Sequence, residues 1–131
     1  MTIAPAYAAV LAMLLITLSL RVIRARRTAR VAIGDGGDGT LRRRMRVQAN
    51  CAEYAPMGLI LLGMAELAGA HMGVLHVLGL MLVAGRLVHA WGVSQEIENF
   101  RLRIFAMRLT FATLTAAAIV CLYLTVPGWF G

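Results

Sequence analysis

Residues 3–20 read IAPAYAAVLAMLLITLSL, a run without a charge that reaches about 27 Å at helical rise. That length crosses the hydrocarbon core of a bilayer, so the chain is read first as a membrane protein. Pro5 falls in the first turn of this helix, where a missing N–H is tolerated. Beyond Leu20 the helix is expected to continue through Arg21-Val-Ile-Arg-Ala-Arg-Arg27. The bulk composition agrees: of 131 residues 60% are hydrophobic, and the mean hydropathy is +0.77. A soluble chain this short could not hide so much apolar surface, whereas one that crosses a bilayer several times has no need to.

Working outward, Gly34-Asp-Gly-Gly-Asp-Gly39 is the clear helix breaker. No Gly-Lys-Ser/Thr follows it to make a phosphate loop, and it is too short for a calcium loop, so it reads as a flexible connector. A second helix is expected over 40–69, charged in its first half and apolar from Ala55 except at Glu66. The third is expected over 72–93, with Arg86 and His89 toward its end, and the fourth over 103–126. Pro127-Gly128 should close the last helix, with Trp129 and Phe130 as interfacial anchors. With the first helix over 3–30, the expected fold is an all-α membrane protein. It is a four-transmembrane-helix bundle occupying 1–131 as one domain.

All 13 basic residues are arginine, against 6 acidic ones, for a net charge of +7. Such a balance would ordinarily raise nucleic acid. Here the arginines sit between apolar runs, so they report topology and headgroup contact, and no nucleic-acid partner is expected. Nine lie between 21 and 46, three between 101 and 108, and none in the turn from Gly69 to Gly73. The positive-inside rule then places loops one and three in the cytoplasm and both termini outside, an arrangement that four helices satisfy. Cys51 and Cys121 read as free thiols, since two cysteines make no disulfide framework. No metal-binding or hydrolase motif is present, and no metal is expected. His71 and His76 fall at the outer face as interfacial residues. Ala112, Thr113 and Thr115 to Ala118 suit close packing of the fourth helix.

The unusual residues sit on the second helix. At about 100° per residue, Arg43, Arg46, Asn50, Glu53, Tyr54 and Met57 fall near 0°, 300°, 340°, 280°, 20° and 320°. They share one stripe, while Gln48 points elsewhere, near 140°. Polar groups entering a membrane are costly unless paired, so this stripe is either a ligand site or a structural clamp between helices or subunits. Guanidiniums also gather at the same end of the other helices: Arg26 and Arg27, Arg86 beside His89, and Arg101, Arg103 and Arg108. Crowded at one depth they repel each other and would accept an anion, best a carboxylate gripped by two parallel hydrogen bonds. For the arginines of helices one and four, snorkelling to headgroups is the simpler alternative.

The run Arg46-Val-Gln-Ala-Asn-Cys-Ala-Glu-Tyr-Ala-Pro56 resembles the signature of the MAPEG superfamily, membrane-associated proteins in eicosanoid and glutathione metabolism. Ala25 to Val31 is similar to the family's end of helix one. Gly85-Arg-Leu-Val-His-Ala-Trp-Gly92 is similar to its helix-three segment, and the glycine-rich connector to its short bacterial branch. The resemblance implies a homotrimer of four-helix subunits with glutathione bound between neighbours near the cytoplasmic face. Arg46, Asn50, Glu53 and Tyr54 would hold glutathione with Gln48 in support, and Arg26 would meet one of its carboxylates. Arg86 and His89 complete the binding set. Arg103, with Arg101 as the alternative, would stabilise the thiolate, and Arg27 would assist the second substrate. Val93 departs from the pattern, standing where the eukaryotic synthases have a tyrosine.

The function so implied is a glutathione-dependent transferase or peroxidase of the inner membrane. It would conjugate the thiolate to hydrophobic electrophiles dissolved in the bilayer. The alternative is a non-catalytic lipid- or glutathione-binding protein of the same fold, since the family holds such a member. Four-helix multidrug exporters need a carboxylate in helix one, and residues 3–20 have none.

Overall fold

The computed structural model describes residues 1–95 and 99–126. Four helices follow in order: α1 over Ile3–Ala29, α2 over Gly39–Leu67, α3 over Met72–Ser94 and α4 over Phe100–Thr125. The expected ends hold to within two residues except for α4, which starts three residues early. Asn99 explains the difference, because its side chain accepts a hydrogen bond from the Leu102 N–H at 3.2 Å and caps the helix there. Asp38 caps α2 in the same way through the Leu41 N–H at 2.7 Å, and His71 Nδ1 caps α3 through the Gly73 N–H at 3.1 Å. At the other end of α1, Arg30 adopts the left-handed conformation (φ 54°) that stops the helix. The expected stop at Pro127-Gly128 and the anchors Trp129 and Phe130 lie outside the described residues.

By length and composition α1, α3 and α4 can each cross a membrane. α2 falls short of that measure because the polar stripe occupies its first half, and its apolar part from Ala55 reaches only about 20 Å. It is nonetheless the centre of the bundle, packing against α1, α3 and α4, while α3 also touches α1 and α4. Leu11, Leu18, Val47, Cys51, Leu82 and Val93 form one buried cluster among α1, α2 and α3. Ala4, Leu62, Leu75, Leu78 and Ala117 form a second. Lipid tails are as apolar as these side chains, so close van der Waals fit and hydrogen bonds set the packing. Gly79 lets the Tyr7 ring lie against the α3 backbone, and Gly85 does the same for Thr110: a Cβ there would stand 2.8 Å from the Thr110 hydroxyl. Thr113 and Ala117 of the small-residue run are buried as expected, whereas Ala112 and Thr115 are exposed.

Glu66, whose position suggests a polar contact at the helix end, makes that contact with α1. Its carboxylate accepts hydrogen bonds from the backbone N–H groups of Thr2, Ile3 (2.9 Å) and Ala4 (2.8 Å), the orphan donors that open α1. One turn inward, the Tyr7 hydroxyl meets His76 Nδ1 at 2.9 Å and donates to the His76 carbonyl at 3.2 Å. These contacts tie α1 to α2 and α3 at the end remote from the arginines. At the arginine-rich end, Asp35 of the connector pairs with Arg42. That hydrogen bond and one from the Gly37 N–H hold the Asp35 carboxyl below its usual range.

Candidate functional site

The stripe on α2 divides into two edges, and its angular order explains the division. Arg43, Asn50 and Tyr54, near 0° on the helical projection, turn toward α3 and α4. Arg43 donates to the Gln95 carbonyl at 2.7 Å, and Tyr54 meets Phe111 of α4 edge to face, with ring centroids 5.5 Å apart. Glu53 and Met57, near 300°, are exposed on the outside of the bundle, while Arg46, also exposed, borders the cleft in front of Asn50. That outer edge runs on as Met57, Ile60, Met64 and Leu67, each more than half exposed.

Arg86 sits at the meeting point of the inner edge with α4. It is only 1% exposed, and its guanidinium donates to Asn50 Oδ1 at 2.7 Å and to the Thr110 hydroxyl at 2.5 Å. It also lies 5.5 Å from the centroid of the Tyr54 ring, a cation–π contact strengthened by the low dielectric. Its Nε is buried without a hydrogen-bond partner. The Thr110 hydroxyl donates in turn to the Ala106 carbonyl at 2.9 Å, which fixes its lone pairs toward Arg86. Arg86 therefore stands behind Asn50 and aims its amide. Thr110, absent from the sequence expectations, is the residue that aims Arg86. No local signal marks it, since Thr110 is one of four threonines on α4 and only the packing brings it to the buried cation.

In front of Asn50 lies a cleft of about 320 Å³, a size that suits a small-molecule ligand. α2 contributes Arg42, Arg43, Arg46 and Asn50, α3 contributes His89 and Val93, and α4 contributes Arg103. Four of the described lining residues are thus arginines converging from two helices, with an amide and an imidazole between them. A guanidinium fork pairs with a carboxylate by two parallel hydrogen bonds, so this concentration of positive charge is complementary to an anion carrying carboxylates, although Arg42 also pairs with Asp35 and Arg43 with the Gln95 carbonyl.

Of the residues marked out from sequence, Arg46, Asn50, His89 and Arg103 meet at this cleft. Arg101 is exposed and outside it, so the geometry separates the two arginines that opening sequence of α4 could not. Arg86 and Tyr54 form its rear support. Arg26 is held elsewhere, donating to the carbonyls of Ala32 (3.4 Å) and Gly34 (2.7 Å) in the connector. Arg27 is exposed at the end of α1, Glu53 is exposed on α2, and Gln48 is half-buried away from the cleft. Within one chain, then, only part of the expected set is assembled.

A helical membrane bundle with a cationic cleft at its arginine-rich end defines the class. The sequence profile of the MAPEG family matches residues 4–123, and the chain belongs to that family. It is also 38% identical over 108 residues to the inner membrane protein YecN of Escherichia coli strain K12, covering 82% of this chain and 81% of that one. The protein of the same name from strain CFT073 matches to the same extent.

Proposed function

We propose that this protein binds glutathione in the arginine-lined cleft and transfers its thiolate to hydrophobic electrophiles held in the bilayer. We place it in the bacterial inner membrane, where its Escherichia coli relatives are named, with loops one and three in the cytoplasm. The single observation that carries the reading is the convergence of Arg42, Arg43, Arg46 and Arg103 with Asn50 and His89 around one cleft. Glutathione brings two carboxylates and one ammonium at neutral pH, so its net negative charge complements the cleft and each carboxylate could be gripped by two parallel bonds.

The chemistry asks little more of the chain. A thiol of pKa about 8.5 is mostly protonated at pH 7, and a fixed cation beside it shifts the balance to the thiolate. Arg103 is the residue for that part, acting by its charge, since a guanidinium does not give up its proton. The S–H proton leaves to water, and a sulfur lone pair forms the bond to the electrophilic carbon. The displaced electron pair settles on the substrate or its leaving group. With a hydroperoxide as substrate, the same thiolate would attack the terminal oxygen as the O–O bond breaks and the alkoxide leaves as the alcohol, and a second glutathione would condense with the resulting sulfenic acid, releasing water and the disulfide.

The working unit is a homotrimer in this reading. Glu53 finds no ion-pair partner among the described residues, and an exposed carboxylate that deep in α2 calls for one from a neighbouring subunit. The apolar edge Met57, Ile60, Met64 and Leu67 offers the contact surface, and Arg26, Arg27 and Gln48 would complete a neighbour's site. A binding-only role remains the second reading, favoured by Val93, which puts a methyl surface in the cleft where the synthases of the family carry a hydroxyl. Calorimetric titration of the detergent-purified protein with glutathione tests the proposal. Saturable binding is expected, and a protein whose melting temperature ignores millimolar glutathione would end the reading.

A further inference from the structure

A second concavity, about 400 Å³, lies between α1 and α3. Both helices present the same i, i+4, i+7 spacing to it: Leu14, Leu18 and Arg21 from α1, and Leu87, Trp91 and Ser94 from α3. The two stripes match level by level. Leu14, Leu18, Leu87 and Trp91, with Ala90 between the last two, line about 6 Å of groove, and the last level is polar on both sides. Arg21 donates to the Ser94 hydroxyl at 3.2 Å, which steadies the guanidinium across the end of the groove. Ser94 is itself tied back to the Ala90 carbonyl. One of the five guanidinium donors is used in this way, and the rest are available to a ligand. Arg44 brings a second cation to the same end, donating to the Arg21 carbonyl at 3.4 Å. Trp91 is 66% exposed and Leu87 48%, so the apolar wall faces outward from the bundle.

An apolar channel ending in paired guanidiniums is complementary to one kind of molecule, an amphiphile with an acyl chain and an anionic head. In a bilayer that molecule is a phospholipid. We infer that the groove between α1 and α3 is a binding site for an acidic phospholipid of the leaflet at the arginine-rich end. The phosphate is gripped by Arg21 with Arg44 alongside, and an acyl chain lies along Leu14, Leu18, Leu87 and Trp91. A zwitterionic lipid carries the same phosphate, but its ammonium would sit among the arginines and be repelled. The preference is therefore for net negative charge. The groove walls come from α1 and α3, with α2 adding only Arg44 beside the polar end, and they share no lining residue with the glutathione cleft, so the inference stands apart from the proposed activity.

Native mass spectrometry of the detergent-purified protein tests it, with phosphatidylglycerol and phosphatidylcholine of identical chains added in turn. The wild type should retain phosphatidylglycerol at least about five-fold better, the factor expected of one arginine near an anionic headgroup. Arg21→Gln should bring the two lipids level. Leu87→Trp, which fills the groove at a half-exposed position, should lower binding of both. Arg101→Gln, an exposed arginine elsewhere, should behave as the wild type. Circular dichroism on each variant guards against misfolding. The inference is overturned if Arg21→Gln keeps the lipid preference, or if Leu87→Trp alters the oligomeric mass while lipid binding is unchanged. In the latter case a second copy of the chain, and not a lipid, covers the groove.

Discussion

Replacing Thr110 by valine removes one hydroxyl and almost no volume, at a residue with no exposed surface. The change withdraws the acceptor that receives the Arg86 guanidinium at 2.5 Å and leaves that nitrogen only Met107 Sδ, at 3.7 Å. Two magnitudes compete. Hydrogen bonds to charged groups contribute about 1.5–3 kcal/mol. Side-chain hydrogen bonds between membrane helices average about 0.6 kcal/mol and reach about 1.7, because the unfolded chain in the membrane also finds partners. Arg86 is charged and 1% exposed, so the upper part of the membrane range applies, and the expected loss is about 1.5 kcal/mol. Unfolding in mixed micelles, followed by circular dichroism, measures it directly. Thr110→Ser restores the acceptor and should recover most of the loss. Because Arg86 aims Asn50, Thr110→Val should also weaken glutathione binding several-fold, and Thr110→Ser should not. Arg86→Met provides the check on mechanism: combined with Thr110→Val it should cost far less than the two single losses added together. A valine variant within about 0.5 kcal/mol of the wild type, or full additivity with Arg86→Met, would refute the coupling.

Arg46→Ala should weaken glutathione binding by about 1.5–3 kcal/mol, the contribution of hydrogen bonds to charged groups, toward the lower end because Arg46 is exposed. Arg103→Ala should spare much of the binding and raise the pKa of the bound thiol, which thiolate absorbance followed against pH would show. If instead Arg46→Ala lowers thermal stability equally with and without glutathione, the α2 stripe is a structural clamp. Glu66→Ala strips three backbone donors of α1 of their acceptor and should destabilise the bundle by about 1–2 kcal/mol, without effect on glutathione affinity. Equal stability in denaturation would show that water replaces the carboxylate. Reporter fusions after Gly37 and Asn99 should signal cytoplasm and one at His71 the outside, and a periplasmic signal from Gly37 would overturn the topology.

Much of this protein is legible in one dimension because the bilayer simplifies the problem. An uncharged stretch such as 3–20 has few alternatives to a helix when every backbone group must be satisfied internally, so helix number and rough limits follow from hydropathy alone. The 100° step of the helix likewise brings Arg43, Arg46, Asn50, Glu53 and Tyr54 to one side of α2 without reference to any neighbour. Which edge of that stripe faces inward is different, since it depends on how α3 and α4 pack. Only the packed bundle puts Asn50 before Arg86 and leaves Glu53 outside. The same holds for Arg101 and Arg103, two positions apart and about 200° around the helix, of which only Arg103 reaches the cleft. Arg26 shows the reverse case: a residue marked for the site turns one guanidinium nitrogen to the carbonyls of its own connector and stands away from the cleft of its own chain. Thr110 could not be assigned at all from its local sequence, and Glu66 only as a polar contact at a helix end, because each acts on a partner 24 or more residues away. Periodicity and polarity are local properties and survive in the sequence; the pairing of a buried donor with its acceptor is a property of the packed chain.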